Sequence, residues 1–205
     1  MLQGITAGFI LSLALFPGSL WLVKVAYNGK PSQCLTLGWA FALSQFLWLV
    51  VGVPGLMMML KYLSFAHMAM HWIAAFVLGY MSYKFFRSKR AENLDELLEL
   101  PGLWRLFYNA FSRSLAMPMR LPATVAVLLA TGAYVSHPLN VTSVFSILIG
   151  CLIGILWWWG QLSLIGVFFV KRIPEAITLK SINKARPFCG VLFLCLALMV
   201  LFFSA

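Results

Sequence analysis

Six long apolar runs, separated by short polar interruptions, dominate this chain: Gly4–Val23, Cys34–Leu60, Phe65–Tyr83, Leu106–Tyr134, Val141–Val170 and Phe188–Phe203. A helix rising 1.5 Å per residue needs ~20 apolar residues to cross the hydrocarbon of a bilayer. The pattern therefore predicts an all-α integral membrane protein with six transmembrane helices. The interruptions leave no room for a second soluble domain. The expected organisation is one membrane domain over 1–205: a first half at 1–83, a cytoplasmic loop at 84–105 and a second half at 106–205.

The polar interruptions also carry an orientation. Lys24 and Lys30 follow the first run; Lys84, Arg87, Lys89, Arg90 and Arg105 follow the third; Lys171, Arg172, Lys180, Lys184 and Arg186 follow the fifth. These twelve of the fifteen basic residues fall on one side, which the positive-inside rule makes cytoplasmic, with both termini outside. The first run has no Lys or Arg before Lys24, so it reads as a membrane span and not as a cleaved signal peptide. In the cytoplasmic loop, Leu94, Leu97, Leu98 and Leu100 alternate with four acids ahead of Pro101-Gly102, the pattern of a short amphipathic surface helix.

Inside the runs the polar and helix-breaking positions are few, and they cluster. Pro17-Gly18 interrupts the first run and Pro118 the fourth, at similar depths in two oppositely oriented halves. Interrupted helices at matching positions are the sequence sign of a 3+3 inverted repeat with a binding site near the bilayer midplane. The fourth run also holds Arg113 and Arg120, and a charge at bilayer depth costs at least ~2.5 kcal/mol on insertion scales. Asn109, Arg113, Arg120 and Thr124 follow at intervals of four, seven and four, the spacing of one polar face on a continuous helix. Guanidinium groups on such a face suit a carboxylate, which they hold by paired hydrogen bonds. Ser12, Ser19, Ser44, Gln45 and Gln161 are further polar candidates within spans, for lining a path or for bonding between helices. Gly4 with Gly8, and Gly150 with Gly154, are small-residue pairs that predict close helix contacts. Trp157, Trp158 and Trp159 cannot all face one way.

Composition sharpens this picture. The 205 residues are 62% hydrophobic and 10% charged, with a mean hydropathy of +0.94. The net charge of +10 is a topology signal and a match to anionic lipid heads; it is not the basic face of a nucleic-acid binder. All five acids fall in cytoplasmic loops, so the spans offer no carboxylate to a cationic substrate, a metal ion or a proton relay. Cys34, Cys151, Cys189 and Cys195 form no C-x-x-C pair and read as packing residues. His67, His71 and His137 lie near the outer face, a thin basis for a metal site or a pH sensor. No nucleophile–base set, phosphate loop or metal cluster is present, and neither enzyme activity nor a cofactor is expected.

Pro17-Gly18 in the first helix, Gly38 in the second and Trp72 to Tyr80 running into Lys84, together with length, six spans and a proline in the fourth, resemble the lysine exporter (LysE-type) superfamily. The likeness covers nearly the whole chain through short motifs. It implies a bacterial inner-membrane exporter of amino acids or similar solutes. Three polar signatures differ from the family pattern: Pro17-Gly18-Ser19 for Pro-Gly-Pro, Ser44-Gln45 for Gly-Asp, and Met117-Pro118-Met119 for Asn-Pro-Lys. The expected function is export of a small carboxylate-bearing solute. Its site would be built from Arg120, Arg113, Pro17, Gly18, Gln45, Pro118 and Asn109, and the expected partners are the lipid bilayer and copies of the chain. The alternative is a non-transporting subunit that reuses the fold inside a larger membrane assembly.

Overall fold

The computed structural model describes residues 1–62, 66–88, 102–117, 119–133, 141–169 and 172–202. The surface helix expected within 92–100, Pro118 and His137 lie outside these residues. The elements are α1 (Leu2–Leu13), α2 (Phe16–Asn28), α3 (Pro31–Tyr62), α4 (Ala66–Arg87), α5 (Leu103–Leu115), α6 (Arg120–Ala130), α7 (Val141–Phe168) and α8 (Glu175–Phe202). No strand occurs among the described residues.

Three helices are long and apolar enough to cross a membrane: α3, α7 and α8. A fourth crossing appears if α1 and α2, which meet at a 68° bend, count as one broken span. Between 33% and 39% of the apolar window in each of the three is buried within the protein. Large apolar side chains face outward, including Trp39, Leu43 and Val51 on α3 and Leu194, Leu198 and Phe202 on α8, and so do Trp72, Ile73 and Phe76 on α4. Apolar surface this extensive is tolerable against lipid and not against water. The chain is thus an all-helical, membrane-embedded protein.

The first and fourth apolar runs are both divided. α1 ends because Pro17 has no N–H to offer the carbonyl of Leu13, four residues back; Leu15 N–H turns instead to Ser12 O at 3.1 Å. The fourth run separates into α5 and α6 around 116–119. At its far end α6 closes through Gly132, which adopts φ +64°. Ala133 N–H bonds Leu128 O at 3.1 Å and Gly132 N–H bonds Leu129 O at 3.2 Å, the two bonds of a Schellman cap that needs a residue free to be left-handed.

Small residues set the closest packing. α1 lies against α7, where a Cβ on Gly4 would sit 3.2 Å from Gly150 Cα and one on Gly8 only 2.1 Å from the Cys151 carbonyl oxygen. The two predicted glycine pairs meet each other. α4 lies against α8 through a Ser82 hydroxyl bonded to Gly190 O at 2.8 Å and stacked Phe85 and Phe193 rings, 5.5 Å between centroids. α3 is the central helix, touching α2, α5, α6 and α7. Of the three consecutive tryptophans, Trp159 is buried and stacks on Phe41 at 4.9 Å, while Trp157 faces outward.

Candidate functional site

Each helix break is pinned by one side chain from the middle of α3. Gln45 is fully buried. Its Nε2 donates to Leu11 O at 2.9 Å, the carbonyl that Leu15 N–H would have satisfied had α1 continued. Its Oε1 accepts from Trp159 Nε1 at 2.7 Å and from the Ser12 hydroxyl at 3.1 Å. Indole N–H is a donor only, so Trp159 fixes which way the amide points. Gln45 thus joins α1, α3 and α7 instead of lining an open path.

The neighbouring residue does the same at the second break. Ser44 and Ser114 hydroxyl oxygens are 2.6 Å apart, and Arg120 Nη2 donates to Ser114 Oγ at 2.5 Å. Arg120 opens α6 and is 7% exposed, yet its Nε has no hydrogen-bond partner. A buried guanidinium with unspent donors is costly unless an anion joins it. Its place compounds this cost, because the N-terminus of a helix already carries partial positive charge.

Arg120 borders a cavity of about 310 Å³. Both helix breaks contribute, through Ala14, Leu15 and Pro17 on one side and Met117, Met119 and Arg120 on the other. The N-termini of α2 and α6 therefore adjoin the same space, and neither helix has a side-chain cap. The end of α4 supplies Tyr80, Lys84 and Ser88, and α8 supplies Asn183 and Arg186. Tyr80 to Ser88 is two turns of α4, about 12 Å of wall. Three cations line the cavity, and no acid does among the described residues. Helix N-termini, two guanidinium groups and an ammonium around one space are the chemistry that suits an anion. The chain matches no protein-family model, no curated protein and no solved structure.

The residues expected from sequence divide between this cavity and other places. Pro17 and Arg120 line it. Gly18 is packed against the Leu15 side chain and the Phe41 ring, with no room for a Cβ. Gln45 is the buried junction just described. Arg113 is exposed on α5, its guanidinium carbon 5.8 Å from the centre of the Trp21 ring. Asn109 is exposed on α5 and Gln161 on α7. Thr124 is buried and bonds back to Arg120 O at 2.8 Å. The single polar face expected over 109–124 does not form, because the break between α5 and α6 resets the helical phase. No group of three metal-ligating side chains converges among the described residues; His71 is buried on α4.

The sequence pattern alone does not single out Lys84, Arg186, Tyr80 and Asn183 as site residues. The positive-inside rule already accounted for the two cations as loop charges. Their spacing holds a signal: Tyr80, Lys84 and Ser88 recur every four residues, on one side of the end of α4.

Proposed function

We propose that this protein is a divergent exporter of the lysine-exporter type, carrying a small anion with a carboxylate group out of a bacterial cytoplasm through the inner membrane. The observation that carries the reading is the cavity itself, where two interrupted helices present their N-termini beside Arg120, Lys84 and Arg186, with no acid in the lining among the described residues. Discontinuous helices that aim positive ends at a substrate anion are a recurrent transporter design.

Some of the helix contacts fit six crossings arranged as two inverted halves, while the α4–α6 contact has no comparable α8–α2 counterpart. Exchange of α1–α2 with α5–α6, α3 with α7 and α4 with α8 turns the α1–α7 contact into the α5–α3 contact and the α2–α7 contact into the α6–α3 contact. It leaves the α3–α7 and α4–α8 contacts as they are. Lys84, Ser88 and Arg186 then sit at the cytoplasmic mouth, where an exporter collects its cargo.

The test is reconstitution into liposomes loaded with a mixture of small metabolites, with mass spectrometry of what leaves. Wild-type protein should release one or a few carboxylates faster than protein-free liposomes. Arg120→Ala should cut that release at least about tenfold, the value of one charge-assisted hydrogen bond. No release above the protein-free control, together with a second chain that co-purifies in fixed ratio, would favour the subunit reading instead.

A further inference from the structure

The cavity says more about its cargo than the sign of its charge. Eleven of its seventeen lining residues are apolar. Leu11, Leu15, Leu20, Met81, Phe85 and Ile182 are the largest aliphatic and aromatic members of that apolar lining. A small hydrophilic anion would leave that wall wetted or empty. The volume of about 310 Å³ lies at the small end of the roughly 300–1,000 Å³ that enclose medium-sized organic ligands. It is ample for a medium-length carboxylate and too small for a two-chain lipid.

The second constraint is the company the ligand would keep. An α-amino acid brings an ammonium group next to its carboxylate, and transporters that bind one must satisfy both. The lining offers three cations and no acid among the described residues. An ammonium held beside Arg120 would be repelled in a low-dielectric space where such repulsion is weakly screened. The Arg120 Nε that lacks a partner adds a demand for negative charge and none for positive.

We propose that the cavity takes an amphipathic monoanion: a carboxylate with an apolar body and no ammonium group. This rests on the anion-exporter reading and narrows its cargo away from amino acids. The carboxylate meets Arg120 beside the N-termini of α2 and α6, and the apolar body lies along Leu20, Met81, Phe85 and Ile182. Such a ligand can come from water, as a medium-chain or branched acid, or from the bilayer, as a long single-chain acid.

Calorimetric titration of the protein in nanodiscs, against empty nanodiscs as reference, separates these cases. The probes are butyrate, hexanoate, octanoate and hexadecanoate, with octan-1-ol and 2-aminooctanoate as neutral and zwitterionic counterparts of octanoate. Affinity should rise about fourfold per added methylene from butyrate to octanoate. Octanoate should bind at least about tenfold more tightly than either counterpart, and Arg120→Gln should erase that advantage. A plateau beyond octanoate identifies a water-borne ligand; a further gain with hexadecanoate identifies a bilayer-borne one, and both support the amphipathic anion. Equal binding of butyrate and octanoate, or of octanoate and 2-aminooctanoate, overturns the proposal while leaving an anion site in place. Failure of wild-type protein to bind any carboxylate overturns both. Should Arg120→Gln not fold, Lys84→Gln with Arg186→Gln replaces it, with the same loss of preference for octanoate over octan-1-ol expected.

Discussion

Ser114 donates its hydroxyl proton to Ser44, across 2.6 Å, and the direction follows from counting donors. Arginine only donates, so Ser114 Oγ accepts from Arg120 and its own proton is free for Ser44. Ser44 in turn donates to Phe41 O at 2.9 Å. One line of bonds thus runs from the guanidinium through two hydroxyls to the backbone of α3, each link polarising the next.

The order of that line predicts unequal costs. Ser114→Ala takes the acceptor from the charged Arg120 Nη2 while Ser44 keeps Phe41 O, whereas Ser44→Ala leaves only the Ser114 hydroxyl proton without an acceptor and Arg120 still bonded. Each buried polar group left without a partner costs about 1–3 kcal/mol, more when charged. Thermal unfolding in detergent should place Ser114→Ala below Ser44→Ala, and both below wild type. The reverse order would mean that Arg120 draws nothing from Ser114.

Gln45→Leu should be among the most damaging single changes in the chain. It keeps the volume and removes the partner of Leu11 O and of the Trp159 indole, about 2–6 kcal/mol for two buried groups. A shifted emission from the Trp159 environment should accompany the lost stability. Unchanged emission and an unchanged unfolding midpoint would remove Gln45 from its role at the first break.

The α1–α7 contact predicts a contrast between glycines. Gly8→Ala and Gly154→Ala place a methyl group 2.1 Å from the Cys151 carbonyl oxygen and 2.2 Å from the Ile5 carbonyl oxygen. Backbone cannot fold away as a side-chain end can, so the helices must separate, at a cost of about 1–3 kcal/mol. Gly79→Ala meets nothing within 4 Å and should match or exceed wild type. The yield of folded protein after gentle extraction orders the three variants.

Arg113→Ala should leave cargo binding intact. The side chain is exposed and over the Trp21 ring, a cation–π contact worth about 0.5–1 kcal/mol. Transport in the liposome assay that Arg120→Ala disables should survive it. Equal loss in the two variants would put Arg113 in the cargo path.

Topology offers a test independent of cargo. The proposed six crossings would place Leu2 and Ser88 on opposite sides of the membrane. Single cysteines introduced at these two positions, in a background lacking the four native ones, should react with an impermeant thiol reagent from opposite faces of oriented vesicles. Labelling of both from one face would remove the six-span arrangement.

How far the chain could be read from its sequence differs between features. Apolar runs long enough to span hydrocarbon are recognisable without tertiary information, because lipid imposes one requirement on every residue. Gly4, Gly8, Gly150 and Gly154 announced a close contact for the same reason: only small side chains let two backbones touch. The division of the first span was legible in Pro17, whose missing N–H acts locally. What Gln45 does was not legible, since its partners Leu11 and Trp159 are 34 and 114 residues away. Lys84 and Arg186 were hidden by a rule that explained them too easily, and the face expected over Asn109, Arg113, Arg120 and Thr124 assumed one helix where there are two.

Ser44 and Gln45 are consecutive, so on α3 they project about 100° apart, one toward each broken span. Both interrupted spans are thereby tied to a single turn of α3.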